Sequence, residues 1–163
     1  MQIQGLTLLE VLIVLSLVAI LTVVATPNLQ SWFAQNRLNQ TAQQIMTAID
    51  FARSSAIQEN ASVMYCGSSD HQQCDGNWKA GQILLSIQEN KVLRTWPALA
   101  KKDELVWTSS LGRDTGLTFT ADGFTYGQEG NFSLCATDVP VSMVLIVTFS
   151  GRVRVETRSG SCG

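Results

Sequence analysis

Gly5-Leu6-Thr7-Leu8-Leu9-Glu10 opens the stretch whose reading decides the fold, and an apolar run from Val11 to Ala25, relieved only by Ser16 and Thr22, completes it. Leu6 to Ala25 is 20 residues, a helix about 30 Å long, the thickness of a bilayer core. One ionisable group, Glu10, interrupts it. A carboxylate at that depth costs about 2.5–3.5 kcal/mol on insertion scales, so an acid retained there points to a function. On residues alone three readings compete. A cleaved signal peptide would use the small residues near Ala25, but Met1-Gln2-Ile3-Gln4 lacks the usual positive charge. A plain membrane anchor explains the length but not Glu10. A buried core helix would show a polar face, and this run shows none.

Those residues resemble the class III signal of type IV pilins and pseudopilins. The resemblance implies a leader of residues 1–5 and a cut between Gly5 and Leu6 by a prepilin peptidase, which also methylates the new N-terminus. Glu10 then becomes the fifth mature residue, where the family has its Glu, and Pro27 occupies the place of a helix-kinking Pro. Leu6 stands where most members have Phe or Met. A membrane and assembly helix over 6–27 follows, with a globular head over 28–163. In a filament, the Leu6 amine of a neighbouring subunit is the cation that would pair with Glu10 and set register.

The whole chain is consistent with one head plus one anchor. It has 163 residues, 45% of them hydrophobic, and a formal charge of −2; the pI is near 5.3 and the mean hydropathy +0.14. Bulk charge therefore predicts no polyanion partner, and any nucleic-acid binding must rest on a local patch. Four cysteines, Cys66, Cys74, Cys135 and Cys162, read as disulfides of an exported head. Three connectivities are possible, and proximity favours Cys66–Cys74 with Cys135–Cys162. Zinc fits poorly, since there is no C-x-x-C pair and His71 is the sole histidine.

Beyond Pro27, Leu38, Ala42, Ile45, Ile49, Ala52 and Ala56 recur at three- and four-residue steps, which predicts an amphipathic helix over 28–59 stopped at Asn60. The membrane and amphipathic halves should form one rod bent near Pro27. Residues 61–163 read as β-rich, with eight short strands: 63–66, 82–87, 92–96, 105–108, 117–120, 131–136, 143–149 and 152–157. Gln88-Glu89-Asn90-Lys91, Asp122-Gly123 and Ser150-Gly151 are hairpin candidates. The fold class is thus α+β, a long N-terminal helix on mostly antiparallel sheet.

Arg53-Ser54-Ser55-Ala56-Ile57, the pair Cys66 and Cys74, and Asp75-Gly76-Asn77-Trp78-Lys79-Ala80-Gly81 resemble the GspH/FimT subgroup of minor pilins and pseudopilins. Trp78 and Gly81 themselves read as a core residue and a turn. Catalytic patterns are missing: no phosphate loop, G-x-S-x-G or H-E-x-x-H occurs. His71 lies alone in a polar loop and is expected to be solvated. Neither an enzyme nor a cofactor is expected.

The C-terminal stretch is the informative one. Arg152, Arg154 and Arg158 fall within seven positions, against one acid, Glu156. Residues two apart in a strand share a face about 6.6 Å apart, so the arginines should line one face with Val153 and Val155 turned to the core. Such a ridge can follow a phosphate backbone. Equally, a charged outer face keeps an edge strand from pairing with other chains. Gly151-Arg152-Val153-Arg154 resembles the Gly-Arg-x-Arg element of DNA-binding FimT-type minor pilins, which act in DNA uptake during natural transformation. The resemblance implies nonspecific binding of double-stranded DNA by Gly151, Arg152, Arg154 and Arg158, with Lys79, Lys101, Lys102 or Arg113 as helpers. Three phosphate contacts would give a log–log salt slope near about −2.7. A Cys135–Cys162 bond would hold Arg158 beside the other two arginines. Other pilins are the implied partners, in the inner membrane and then in a pilus at the cell surface. Two other roles share the signal: a GspH-like pseudopilin of a type II secretion system, or a pilin that only primes assembly.

Overall fold

The computed structural model describes residues 7–110, 112, 115–160 and 162, apart from the side chains of 23–28. The first element is a single 52-residue helix, α1 (Leu8–Glu59), which continues through Pro27. Thr7 caps its start by accepting from the Glu10 N–H at 3.3 Å. Asn60 ends it in a left-handed conformation, its N–H donating to the carbonyls of Ala56 and Ile57. The expected stop is therefore the observed one.

The two halves of α1 differ as their sequences do. Leu38, Ala42, Ile45, Ile49, Ala52 and Ala56 are all buried, joined by Ala34 one turn before them and Ala48 among them. This stripe packs on the head. The described apolar residues from Leu8 to Leu21 are instead exposed. Among the described residues no helix is long and apolar enough to cross a membrane. Leu6 and the side chains at the end of the expected span lie outside the description.

Among the described residues eight strands follow: β1 (Val63–Gly67), β2 (Gln82–Ser86), β3 (Lys91–Trp96), β4 (Asp103–Ser109), β5 (Gly116–Phe119), β6 (Gly130–Ala136), β7 (Val141–Val147) and β8 (Val153–Ser159). They form not one sheet but two, each four-stranded, ordered β3-β2-β1-β5 and β4-β6-β7-β8. Every pairing is antiparallel. Helix α1 contacts strands of both sheets. Between them sits an aromatic core in which the Phe132 ring is 4.9 Å from Trp78, 4.4 Å from Trp107 and 6.2 Å from Tyr65. Trp78 is buried, as the core assignment requires.

Asp122-Gly123 corrects the hairpin expectation. The Gly123 N–H donates to the Thr120 carbonyl at 2.7 Å, so the turn is real. The strands on either side, β5 and β6, belong to different sheets. His71 also departs from expectation. It is half-buried in a left-handed backbone conformation, its ring lies against Gly81, and its Nδ1 is buried without a partner among the described residues.

Arg37 fastens the helix to the second sheet. Its Nε donates to both carboxylate oxygens of Asp103 at 3.0 and 3.1 Å, and its Nη2 to Asp138 at 2.9 Å. Asp103 is fully buried, so this forked pair satisfies a charge that would otherwise be costly. Lys102 reaches the other oxygen of Asp138 at 3.4 Å. Burial pulls the Asp138 carboxyl up, but the hydrogen bonds from Arg37 and Lys102 outweigh it and hold the group below the usual aspartate range. The bonds that Arg37 donates to Asp103 in turn push its guanidinium up.

Candidate functional site

Strand β8 is an edge of the second sheet, paired among the described residues only with β7. Val153 and Val155 are half-buried and pack against the core, which turns Arg154, Glu156 and Arg158 to the opposite face. Arg152, at the end of the turn before the strand, continues that line and is exposed. The three arginines therefore share a face. So does Glu156, which stands between two of them: Arg154 Nη2 lies 2.7 Å from one of its oxygens and Arg158 Nη2 3.2 Å from the other. Arg152 makes no ion pair among the described residues. Position parity already placed Glu156 on this face; counting charges alone concealed it.

The turn that presents Arg152 needs Gly151. Its φ is +73°, a left-handed value, and a Cβ would fall 2.6 Å from the Phe119 ring and 3.3 Å from Arg53 Cδ. The turn is closed by Gly151 N–H donating to the Thr148 carbonyl at 2.8 Å and Thr148 N–H donating to the Arg152 carbonyl at 3.0 Å. Arg53, from the last turns of α1, thus lies against the base of the arginine turn, with its Nε buried and unpartnered among the described residues. In the sequence its signal was weak: a single Arg beside the buried Ala52.

The remaining basic candidates separate. Lys79 lies 3.8 Å from Glu104, and Lys102 belongs to the Arg37–Asp138 cluster. Lys101 and Lys102 precede β4, three strands from β8 and hence about 14 Å away across the sheet. Arg113 lies outside the described residues, as do Gly5 and Leu6. Glu10 is exposed in the first turn of α1.

The sulfurs of Cys66 and Cys74 are joined, with Cα atoms 5.6 Å apart, and so are those of Cys135 and Cys162, at 5.4 Å. Glu104, Cys135 and Cys162 cluster closely enough to hold an ion, but both sulfurs are spent in the disulfide. The latter bond ties the tail to β6 beyond the end of β8. Arg158 also lies within the β7–β8 ladder, which runs on to Ser159, opposite Val141.

The family described as Type II transport protein GspH matches residues 41–151. No curated protein sequence matches the chain. Two crystal forms of the Pseudomonas aeruginosa (strain PAO1) type IV minor pilin FimU are similar in fold, each at 22% sequence identity. One has a TM-score of 0.57, covering 75% of this chain and 90% of that one; the other has 0.53, covering 72% and 91%. The matched segment takes in α1 from Thr41 onward, the first sheet, and β4, β6 and β7 of the second, and ends at the Gly151 turn before β8. The chain belongs to the GspH family and is a type IV pilin-like protein of the GspH/FimT type.

Proposed function

We propose that the protein is a minor type IV pilin of the FimT type whose head binds double-stranded DNA nonspecifically for uptake in natural transformation. Its life begins in the inner membrane, held by the helix over 6–25. Prepilin peptidase removes residues 1–5 and methylates Leu6, and Glu10 guides entry into a filament beside other pilins. The head then reaches the cell surface and meets DNA through Arg152, Arg154 and Arg158.

One observation carries the DNA reading: three guanidinium groups on one exposed face of an edge strand, the first raised on a turn that only glycine fits. Phosphate contacts of this kind position a duplex without reading its bases. Binding is weak and strongly salt-dependent, and several heads in a filament supply avidity. The second reading, a pseudopilin of a type II secretion system that contacts protein instead, is favoured by the description of the matching family.

A gel-shift of the full chain in detergent with duplex DNA across a salt series separates the two. Binding at low salt that falls steeply with added salt supports the pilin reading. Arg152→Gln with Arg154→Gln should then weaken binding to all sequences alike. No shift at low salt leaves the secretion reading.

A further inference from the structure

The outer face of the second sheet carries a groove of about 750 Å³ beside the arginine strand. Val144 and Ile146 of β7 and Asn131 of β6 line it, together with Arg158, Glu129 and Phe149. Its chemistry differs from that of the arginine ridge in two respects. Phe149 is 46% exposed and heads a cluster of rings, with Phe124 at 5.1 Å and Tyr126 at 5.3 Å. Its backbone is fixed, because its carbonyl accepts from both the N–H and the hydroxyl of Thr125, each at 3.1 Å. The second difference is Glu129, whose Oε2 is buried and has no hydrogen-bond partner among the described residues.

An unpaired buried acceptor is costly, and a turn of the Glu129 carboxylate into the groove it lines relieves that cost when a ligand there supplies the donor. A phosphate cannot supply it, since carboxylate and phosphate repel. An exocyclic amino group can, as when Glu accepts from cytosine N4. An exposed aromatic ring offers stacking to any base, and the groove lies in the usual size range of small-ligand sites, about 300–1,000 Å³. We propose that the groove takes one unpaired nucleotide of a DNA strand lying along β8, its base against Phe149, its amino edge toward Glu129 and its phosphate toward Arg158. This inference rests on the DNA reading above and narrows its ligand: strands with unpaired ends or gaps engage the head more tightly than blunt duplex.

The test uses the full chain in detergent and three labelled ligands of equal length, a dC strand, a dT strand and a blunt duplex, at one low salt concentration. Fluorescence anisotropy should show the dC strand bound about fivefold or more tighter than dT, the lower end of a base contact. Glu129→Gln should erase that difference; among the described residues its side chain has no hydrogen bond to break. Phe149→Leu should weaken both single strands about fivefold or more, the lower end of a stacking contact, and leave the duplex within about twofold. Thermal melts by circular dichroism verify that each variant is folded.

Equal binding of dC and dT by the parent, or a uniform gain for all three ligands in Glu129→Gln, overturns the groove as a nucleotide site while duplex binding by the arginines stands. Variants that bind all three ligands like the parent but enter sheared pili poorly assign the groove to a neighbouring pilin and also overturn it. Failure of every ligand to bind removes the DNA reading itself.

Discussion

Glu156→Gln is expected to strengthen DNA binding. Glu156 sits between Arg154 and Arg158 at 2.7 and 3.2 Å and cancels one of the three positive charges on the ridge. The side chains are 71%, 59% and 36% exposed for Arg154, Arg158 and Glu156, so each pair is a surface pair worth about 0–1 kcal/mol. Losing both should leave the fold intact. The larger effect falls on the ligand. A carboxylate about 6 Å from a phosphate repels it by about 0.7 kcal/mol in a water-like dielectric, so its removal tightens binding about threefold at low salt. With Glu156 in place the ridge acts as two charges and the salt slope should be near about −1.8; the glutamine variant should approach about −2.7. Both quantities come from one anisotropy titration repeated over a salt series. Unchanged affinity and slope in a folded Glu156→Gln protein would show that phosphates do not lie on β8, and the charged face would revert to protection of an edge strand.

Arg37→Met should destabilise the head by about 3 kcal/mol in a urea melt, because it strands the buried Asp103 carboxylate; a loss below about 1 kcal/mol would reduce the cluster to decoration. Asp138 is held below its ordinary range, so the unfolded chain takes up the proton first; the stability it confers is fully present above about pH 4 and disappears as pH falls through the lower folded value. Urea midpoints that do not drop in that acid window would refute this. Glu10→Ala should leave the head folded and the protein in membranes but out of sheared pili, and normal incorporation would remove the assembly role. Cys162→Ser opens a loop with a sequence separation of 27 and should cost about 3–4 kcal/mol of stability. Duplex affinity of the folded variant should change less than about twofold, because the β7–β8 ladder already holds Arg158; a larger loss would return the disulfide to the role of a staple for the arginines.

What was legible in the sequence was what depends on local periodicity. Leu38 to Ala56 repeat at helical spacing because one side of α1 must face a core, and Asn60 marks its end because a left-handed residue is needed there. All eight strands were found near their bounds, since apolar alternation and turn residues are both short-range signals. Partnership is not short-range. Nothing in the residues around Asp122-Gly123 states that β5 pairs with β1 while β6 pairs with β4, so a turn between sheets looked like a hairpin. Arg37 finds Asp103 and Asp138 at sequence separations of 66 and 101, beyond any spacing rule. At the candidate site, the arginine face followed from parity, and the same parity held the position of Glu156. The groove did not, because it joins Asn131, Ile146 and Phe149 only through the order of strands in the second sheet.

The arginine strand is ordered at both ends before any ligand arrives, and this bears on how it would bind. At its start, Gly151 packs against Phe119 and Arg53, and two backbone hydrogen bonds close the turn. Along its length seven residue pairs register β8 against β7, from Val147 opposite Val153 to Val141 opposite Ser159. Past its end, the Gly160 N–H donates to the Pro140 carbonyl at 3.1 Å, and Cys162 is bonded to β6. Binding therefore costs little backbone ordering, and the entropy lost is that of the arginine side chains, about 0.5–1.5 kcal/mol for each one immobilised. Glu156 already restrains two of them. Its two effects oppose each other: it lowers the attraction for phosphate while it holds Arg154 and Arg158 near the geometry a backbone requires. The sign of the Glu156→Gln effect decides between them. Tighter binding means that charge outweighs order on this face; weaker binding with a steeper salt slope would mean that the acid serves the site by holding its arginines in place.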